Sequence, residues 1–171
     1  MAELINGKKL AKEIREDLKI KEKGIIPKLA VIMVGEDPAS KVYVKNKSKA
    51  CEYVGIEYEE HILKKETKME ELINLIQNLN KNKTIHGILL QSPIPEHLDI
   101  NEAFRTISPE KDVDGFHPVN VGKLCLNQDT FVSCTPYGIM KMFEAYDIDL
   151  TGKNVTIIGR SNIVGKPLIQ C

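Results

Sequence analysis

Apolar and polar positions along the chain fall into two kinds of segment, and the two kinds alternate. Residues 28–35, Lys-Leu-Ala-Val-Ile-Met-Val-Gly, form a continuous apolar run closed by glycine, the pattern of a strand buried on both faces of a parallel sheet. Asp37 and Pro38 then give a helix start, with a carboxylate to accept from orphan amides and a proline tolerated in the first turn. Gly55 ends that helix, and residues 56–63 alternate imperfectly, predicting a second strand. Thr67-Lys-Met-Glu70 matches a capping box, and Met69, Leu72, Ile73, Ile76 and Leu79 recur at helical spacing. Residues 85–90, Ile-His-Gly-Ile-Leu-Leu, give a third short apolar run, which Gln91-Ser-Pro-Ile-Pro breaks. The predicted order is βαβαβ, an α/β arrangement on a parallel sheet.

Ahead of this unit Leu10, Ile14 and Leu18 define an amphipathic helix, and after it residues 100–107 predict a short helix ended by Ser108-Pro109. Residues 111–134 read as a long, structured connection. Thr135-Pro136 restarts a helix with apolar positions Ile139, Met142, Phe143 and Tyr146, able to span or pack between lobes. Residues 154–158 then predict a new buried strand, followed at once by Gly159-Arg-Ser-Asn-Ile-Val-Gly-Lys-Pro167. No internal repeat or low-complexity tract is visible.

Composition narrows the function classes. The 171 residues carry 24 Lys+Arg against 24 Asp+Glu and are 42% hydrophobic, which is ordinary globular usage for one domain, or one domain plus part of another. Zero formal charge argues against nucleic acid as a partner, because phosphate binding needs an excess of cations on one face. No run approaches about 18 uncharged apolar residues, and the opening lacks a cationic segment followed by an apolar one. A soluble, cytoplasmic protein without a membrane span is the expectation. Cys51, Cys125, Cys134 and Cys171 form no Cys-x-x-Cys pair and are expected to be reduced and mostly buried. His61, His86, His97 and His117 are scattered, so no metal site is predicted.

Candidate chemistry begins on the helix after Gly35. Tyr43, Lys47, Ala50, Cys51 and Val54 share one helical stripe, so one lysine falls on the face expected to point inward. Two readings are open: an edge lysine that snorkels to water, or a lysine held in a cleft, where partial desolvation makes it usable in proton transfer. Gln91 is a polar amide directly after an apolar run, at the strand ends where open parallel sheets bind ligands. It is either a strand-end residue bonded to backbone or part of a site. Lys111-Asp-Val-Asp-Gly-Phe holds two acids that would point the same way if the segment were extended, and a solvated acidic turn is the other reading.

Taken together and in order, these segments resemble a known family. Val34-Gly-Glu-Asp-Pro-Ala-Ser40, Tyr43-Val-Lys-Asn-Lys47, Leu90-Gln91-Ser92-Pro93, Lys111-Asp-Val-Asp-Gly-Phe-His-Pro-Val-Asn120, Cys134-Thr-Pro-Tyr-Gly138 and residues 159–167 are similar to the signatures of the bifunctional methylenetetrahydrofolate dehydrogenase/cyclohydrolase family. The resemblance implies oxidation of 5,10-methylenetetrahydrofolate with NADP, NAD not being excluded, and hydrolysis of the methenyl product to 10-formyltetrahydrofolate. It implies Lys47 as the catalytic lysine, Tyr43 packed on the folate, and Gln91 bonded to the lysine. Asp114 would anchor the pterin, with Leu90 and Ser92 beside the substrate. Gly159, Arg160 and Ser161 would bind NADP; as a fingerprint the segment departs from Gly-x-Gly-x-x-Gly, with serine in place of the second glycine and Gly165 six residues after Gly159.

The implied architecture is a three-layer βα folate domain over residues 1–120, a connection and bridging helix over 121–148, and the first strand, turn and helix start of a Rossmann-type NAD(P)-binding domain over 149–171. The family's usual proline and leucine are replaced by Ser133 and Ser92. A glycine-rich Pro-Gly-Gly-Val-Gly-Pro motif is missing, so a C-terminally truncated enzyme with negligible dehydrogenase activity and at most weak cyclohydrolase activity is expected. Tetrahydrofolate derivatives are the expected partners, with a homodimer for the complete enzyme. A non-catalytic folate-binding fragment is the alternative within the family; an unrelated doubly wound signalling domain would share only the βαβαβ opening.

Overall fold

A computed structural model describes residues 3–19 and 24–171. Met1 and Ala2, the start of the segment read for a leader, lie outside the described residues. The described chain divides into two compact units, one of residues 18–113 and the other of residues 1–17 with 114–171.

The 18–113 unit is built on strands β1 (Lys28–Val34), β2 (Glu57–Leu63) and β3 (Gly87–Leu90), all parallel in the order β2-β1-β3. Ala30 stands opposite Glu59 on one side and Ile88 on the other, so β1 is the central strand. Helix α2 (Pro38–Val54) connects β1 to β2, and α3 (Met69–Lys81) connects β2 to β3; α4 (Ile100–Thr106) follows. Alternation along β1 sends Ala30, Ile32 and Val34 to one face, where they pack with Leu72, Ile76 and Leu79 of α3 and Ala103 of α4. Val31 and Met33 go to the other face and pack with Val44 of α2 and Leu89 of β3. Helices therefore cover both faces, which explains why β1 reads as an unbroken apolar run. The predicted βαβαβ order is observed.

Local signals account for most element ends. The Asp37 carboxylate accepts from the Ser40 amide at 2.7 Å, which caps α2. Gly55 closes it at φ 85°, a conformation that suits glycine. The capping box of α3 is displaced by one residue: the Lys68 amide donates to the Glu71 carboxylate at 2.8 Å, and Thr67 lies one residue too early to cap. The Thr67 carbonyl is instead 2.9 Å from Nε2 of His97.

The second unit holds α1 (Gly7–Asp17), α5 (Pro118–Cys125), α6 (Cys134–Ala145) and α7 (Gly165–Gln170). Helix α1 meets α6, and the Asn6 amide donates to the Tyr146 hydroxyl at 2.7 Å. The 111–134 connection is structured, as the sequence predicts, and contains a helix, α5, started by His117 and Pro118. Two sequence expectations are corrected here. Residues 154–158 form no strand, with Val155 58% exposed and Ile158 fully exposed; no described segment pairs with them, and a strand exists only through its ladder. The cysteines are not mostly buried: Cys51 is, whereas Cys125, Cys134 and Cys171 are exposed. Among the described residues no helix is long and apolar enough to cross a membrane.

Candidate functional site

In an open parallel sheet, side chains after the strand ends converge on the ligand crevice. Gln91 directly follows β3, and its amide donates to the Ile32 carbonyl at 2.8 Å, which ties the strand end to β1. Its side chain then has a set direction. Nε2 donates to the Ser92 carbonyl at 2.7 Å, leaving Oε1 to accept from Nζ of Lys47 at 2.9 Å. Only one orientation of the amide satisfies both contacts. The structure thus brings Lys47 and Gln91 together, although 44 residues separate them.

Helix α2 presents this lysine as its periodicity requires, with one adjustment. Ser40, Val44, Cys51 and Val54 are buried and Lys47 is half-buried between them, so the inward stripe begins at Ser40. Tyr43 lies about 100° around the helix from Val44 and is 61% exposed. It sits one turn before Lys47 on the helix but outside the buried stripe. The Ser40 hydroxyl is 2% exposed and is the one buried side-chain polar atom among the described residues that finds no partner. Sequence reading passed over it, yet its place seven residues before Lys47 on the same stripe was the available signal. Leu90 is buried in the sheet and Ser92 is half-buried, contributing its carbonyl to Gln91.

Close to the sheet, burial pushes the Tyr58 hydroxyl up to about 12, helped by the charge of Glu60, and burial also raises the Cys51 thiol. Lys47 has a different environment: one Nζ hydrogen goes to Gln91, and an ammonium carries two more that can donate to a ligand oxygen or to water. A fixed amine of this kind can hold or pass a proton beside a bound electrophile.

The acidic loop departs from the extended pattern. The Val113 amide donates back to the Lys111 carbonyl at 3.0 Å, a three-residue turn that breaks the alternation. Asp112 is 2% exposed and bridges to Ile88, whereas Asp114 is half-buried with its carboxylate 3.8 Å from the Cys134 thiol. Gly115 follows at φ 67°, and a Cβ there would lie 2.6 Å from the Phe131 carbonyl oxygen. Ser133, where the family resemblance leads one to expect proline, is buried and its hydroxyl donates to the Ile163 carbonyl at 2.5 Å.

Gly159, Arg160 and Ser161 are exposed in the same unit as Asp114. Open space surrounds the Cβ position of Gly159, and the close approach occurs at Gly165, whose Cβ would lie 2.4 Å from the Gly159 carbonyl oxygen. The Ser161 hydroxyl accepts from the amides of Val164 and Gly165 at 3.1 and 3.3 Å, so it organises the turn. Arg160 is exposed beside this turn. Among the described residues no cluster of His, Cys, Asp and Glu could hold a metal.

Comparison with known proteins gives this geometry a context. Residues 5–114 match the tetrahydrofolate dehydrogenase/cyclohydrolase catalytic domain, and residues 133–171 match the NAD(P)-binding domain of the same family. The bifunctional protein FolD of Methanosarcina barkeri is 52% identical over 171 residues, covering 96% of this chain and 60% of that protein. The crystal structure of FolD-methylenetetrahydrofolate dehydrogenase/cyclohydrolase from Campylobacter jejuni superposes with a TM-score of 0.96 at 48% identity, over 98% of this chain and 62% of that one. The Trypanosoma brucei enzyme, solved with NADP cofactor and inhibitor, gives 0.85 at 32% identity, over 96% and 57%. The chain spans about three-fifths of the length of the curated relatives it matches. It belongs to the tetrahydrofolate dehydrogenase/cyclohydrolase family.

Proposed function

We propose that this chain binds a tetrahydrofolate derivative as the folate-binding part of an enzyme of one-carbon interconversion. That enzyme oxidises 5,10-methylenetetrahydrofolate with NADP and hydrolyses the methenyl product to 10-formyltetrahydrofolate, the hydrolytic step being the one this chain itself retains. The observation that carries this reading is the Lys47–Gln91 pair at the strand ends, on the segment that matches the family's catalytic domain.

In the hydrolytic step water attacks the electrophilic methenyl carbon and loses a proton. Lys47 Nζ, oriented by Gln91 Oε1, accepts that proton as the neutral amine and becomes the ammonium. Gln91 is a positioning residue, itself held by the Ser92 carbonyl. Tyr43, exposed one turn before Lys47, offers a ring face to the folate. Leu90 and Ser92 border the substrate, and Asp114 accepts hydrogen bonds from the amino-pyrimidine end of the pterin. NADP would supply an acceptor for the hydride of the methylene carbon, and Gly159, Arg160 and Ser161 would hold it. Gly159 gives its phosphates room, Arg160 supplies a cationic fork, and Ser161 holds the turn. A homodimer of the complete enzyme, a cytoplasmic location and indifference to nucleic acid complete the reading, with NAD as the alternative to NADP.

Hydrolysis of 5,10-methenyltetrahydrofolate, followed as loss of its absorbance, tests the proposal. Turnover by the chain that Lys47→Ala abolishes is expected; turnover equal in the two proteins would overturn the role of Lys47. Folate binding without turnover would instead favour the non-catalytic module.

A further inference from the structure

The last carbonyls of a helix lack intrahelical donors, and a buried helix end must find others. At the end of α3 they are met by Lys111, whose Nζ lies 3.1 Å from the carbonyl of Leu79 and 2.8 Å from those of Asn80 and Asn82. An ammonium has three hydrogens, and all three are used. The cation also sits at the negative end of the helix dipole. Burial lowers the Lys111 pKa, so these carbonyls replace water that the group has lost.

The same residue is tied down along its backbone. The Lys111 amide donates to Ser108 at 2.8 Å, and its carbonyl accepts from Ile88 at 2.7 Å and from Val113 at 3.0 Å. Asp112 pairs with Ile88 in parallel, adding a one-residue extension to the edge of β3. Val113 lies over Gly87, where a Cβ would come within 2.6 Å of its Cγ1. Asn80 clamps the approach, donating to the Thr106 carbonyl at 2.7 Å and accepting from the Ser108 amide at 2.9 Å.

We infer that Lys111 is a positioning residue: it fixes Asp112 and Val113 against β3 and so sets the peptide that leads into Asp114, making it a determinant of folate affinity rather than of turnover. This rests on Asp114 acting as the pterin anchor. A residue needed only for stability would change the melting temperature and leave the affinity of the folded protein alone.

Lys111→Met and Lys111→Arg test the inference, with methenyltetrahydrofolate hydrolysis and amide hydrogen exchange both measured well below the unfolding temperature. Lys111→Met is expected to raise KM about tenfold with kcat nearly unchanged, the size of one lost charge-assisted contact. Exchange at the Ile88 and Val113 amides should accelerate by a similar factor while the centre of β1 stays protected, and Lys111→Arg should recover part of both. Unchanged exchange at Ile88 and Val113 would overturn the inference, as would an unchanged KM once that protection is lost. Absence of hydrolysis by the unsubstituted chain would count against the functional reading instead, and the exchange arm would still decide whether Lys111 fixes the segment.

Discussion

Residues 28–34 and 154–158 are both short runs rich in β-branched side chains, and they end in opposite states. In β1 the residues from Ala30 to Val34 are at most 3% exposed, because the strand has a partner on each side and helices over both faces. In the second segment Val155 and Ile158 face water and no ladder forms. The contrast extends to the units that contain them. Among the described residues the buried apolar core lies between Ala30 and Ile107, whereas the burial in 114–171 is of small or polar groups such as Asn120, Ser133, Pro136 and Gly165. β-propensity therefore reports the capacity to join a sheet, and the sheet itself is a property of the neighbours.

The widest separation between the two regions should appear in chemistry. Lys47→Ala is expected to reduce methenyltetrahydrofolate hydrolysis by about 10²–10⁴-fold, the usual worth of a positioned proton-transfer group, while Arg160→Ala leaves hydrolysis within about twofold. Comparable losses in both variants would erase the distinction. Stability should separate next. Ile76→Ala, in the core under α3, should lower unfolding free energy by about 2–5 kcal/mol in denaturant titrations, and Ile158→Ala by less than about 0.5 kcal/mol. A large loss from Ile158→Ala would show that the segment is buried in solution.

Gly165→Ala sharpens the picture from within the 114–171 unit. Its methyl would meet the Gly159 carbonyl, and a cost of about 1–3 kcal/mol is expected, the range for overpacking, read as a lower melting temperature. The smallest effect is electrostatic. The hydrogen bond from the Ser40 backbone amide holds the Asp37 carboxyl below its ordinary value. Its folded pKa is the depressed one, so its contribution to α2 is complete above the unfolded value near 3.9 and fades as pH falls through the folded one. Asp37→Asn should flatten the acid limb of a melting-temperature profile slightly, and an unchanged limb would remove Asp37 from the account.

Much of the 18–113 unit was legible because its signals are local. A carboxylate followed by proline, a glycine at a helix end and an apolar stripe at helical spacing each act within a few residues, and Asp37, Gly55 and the face of Leu72, Ile76 and Leu79 took the expected places. The capping box slipped by one residue because Lys68, not Thr67, occupies the cap while Glu71 supplies the carboxylate. The candidate site was legible as a set of residue types, with Lys47 on an inward stripe and Gln91 at a strand end. Tyr43 was put on that stripe by spacing, but a step of 100° per residue turns it outward from Val44. The two acids of the 112–114 loop would point the same way only in an extended segment, and a hydrogen bond from Val113 to Lys111 bends it and separates their surroundings.

By itself the sequence determined the order of strands and helices in the sheet unit, the inward placement of Lys47 and the family signature that spans the chain. Tertiary structure alone decided the Lys47–Gln91 hydrogen bond, the burial of Asp112, the use of Lys111 as a cap for α3, the Ser133 contact with Ile163 and the absence of a strand at 154–158. The division has a physical cause. Helical and strand periodicities are enforced by groups a few bonds apart, whereas ladders and side-chain contacts between distant segments exist only where the topology brings both partners together.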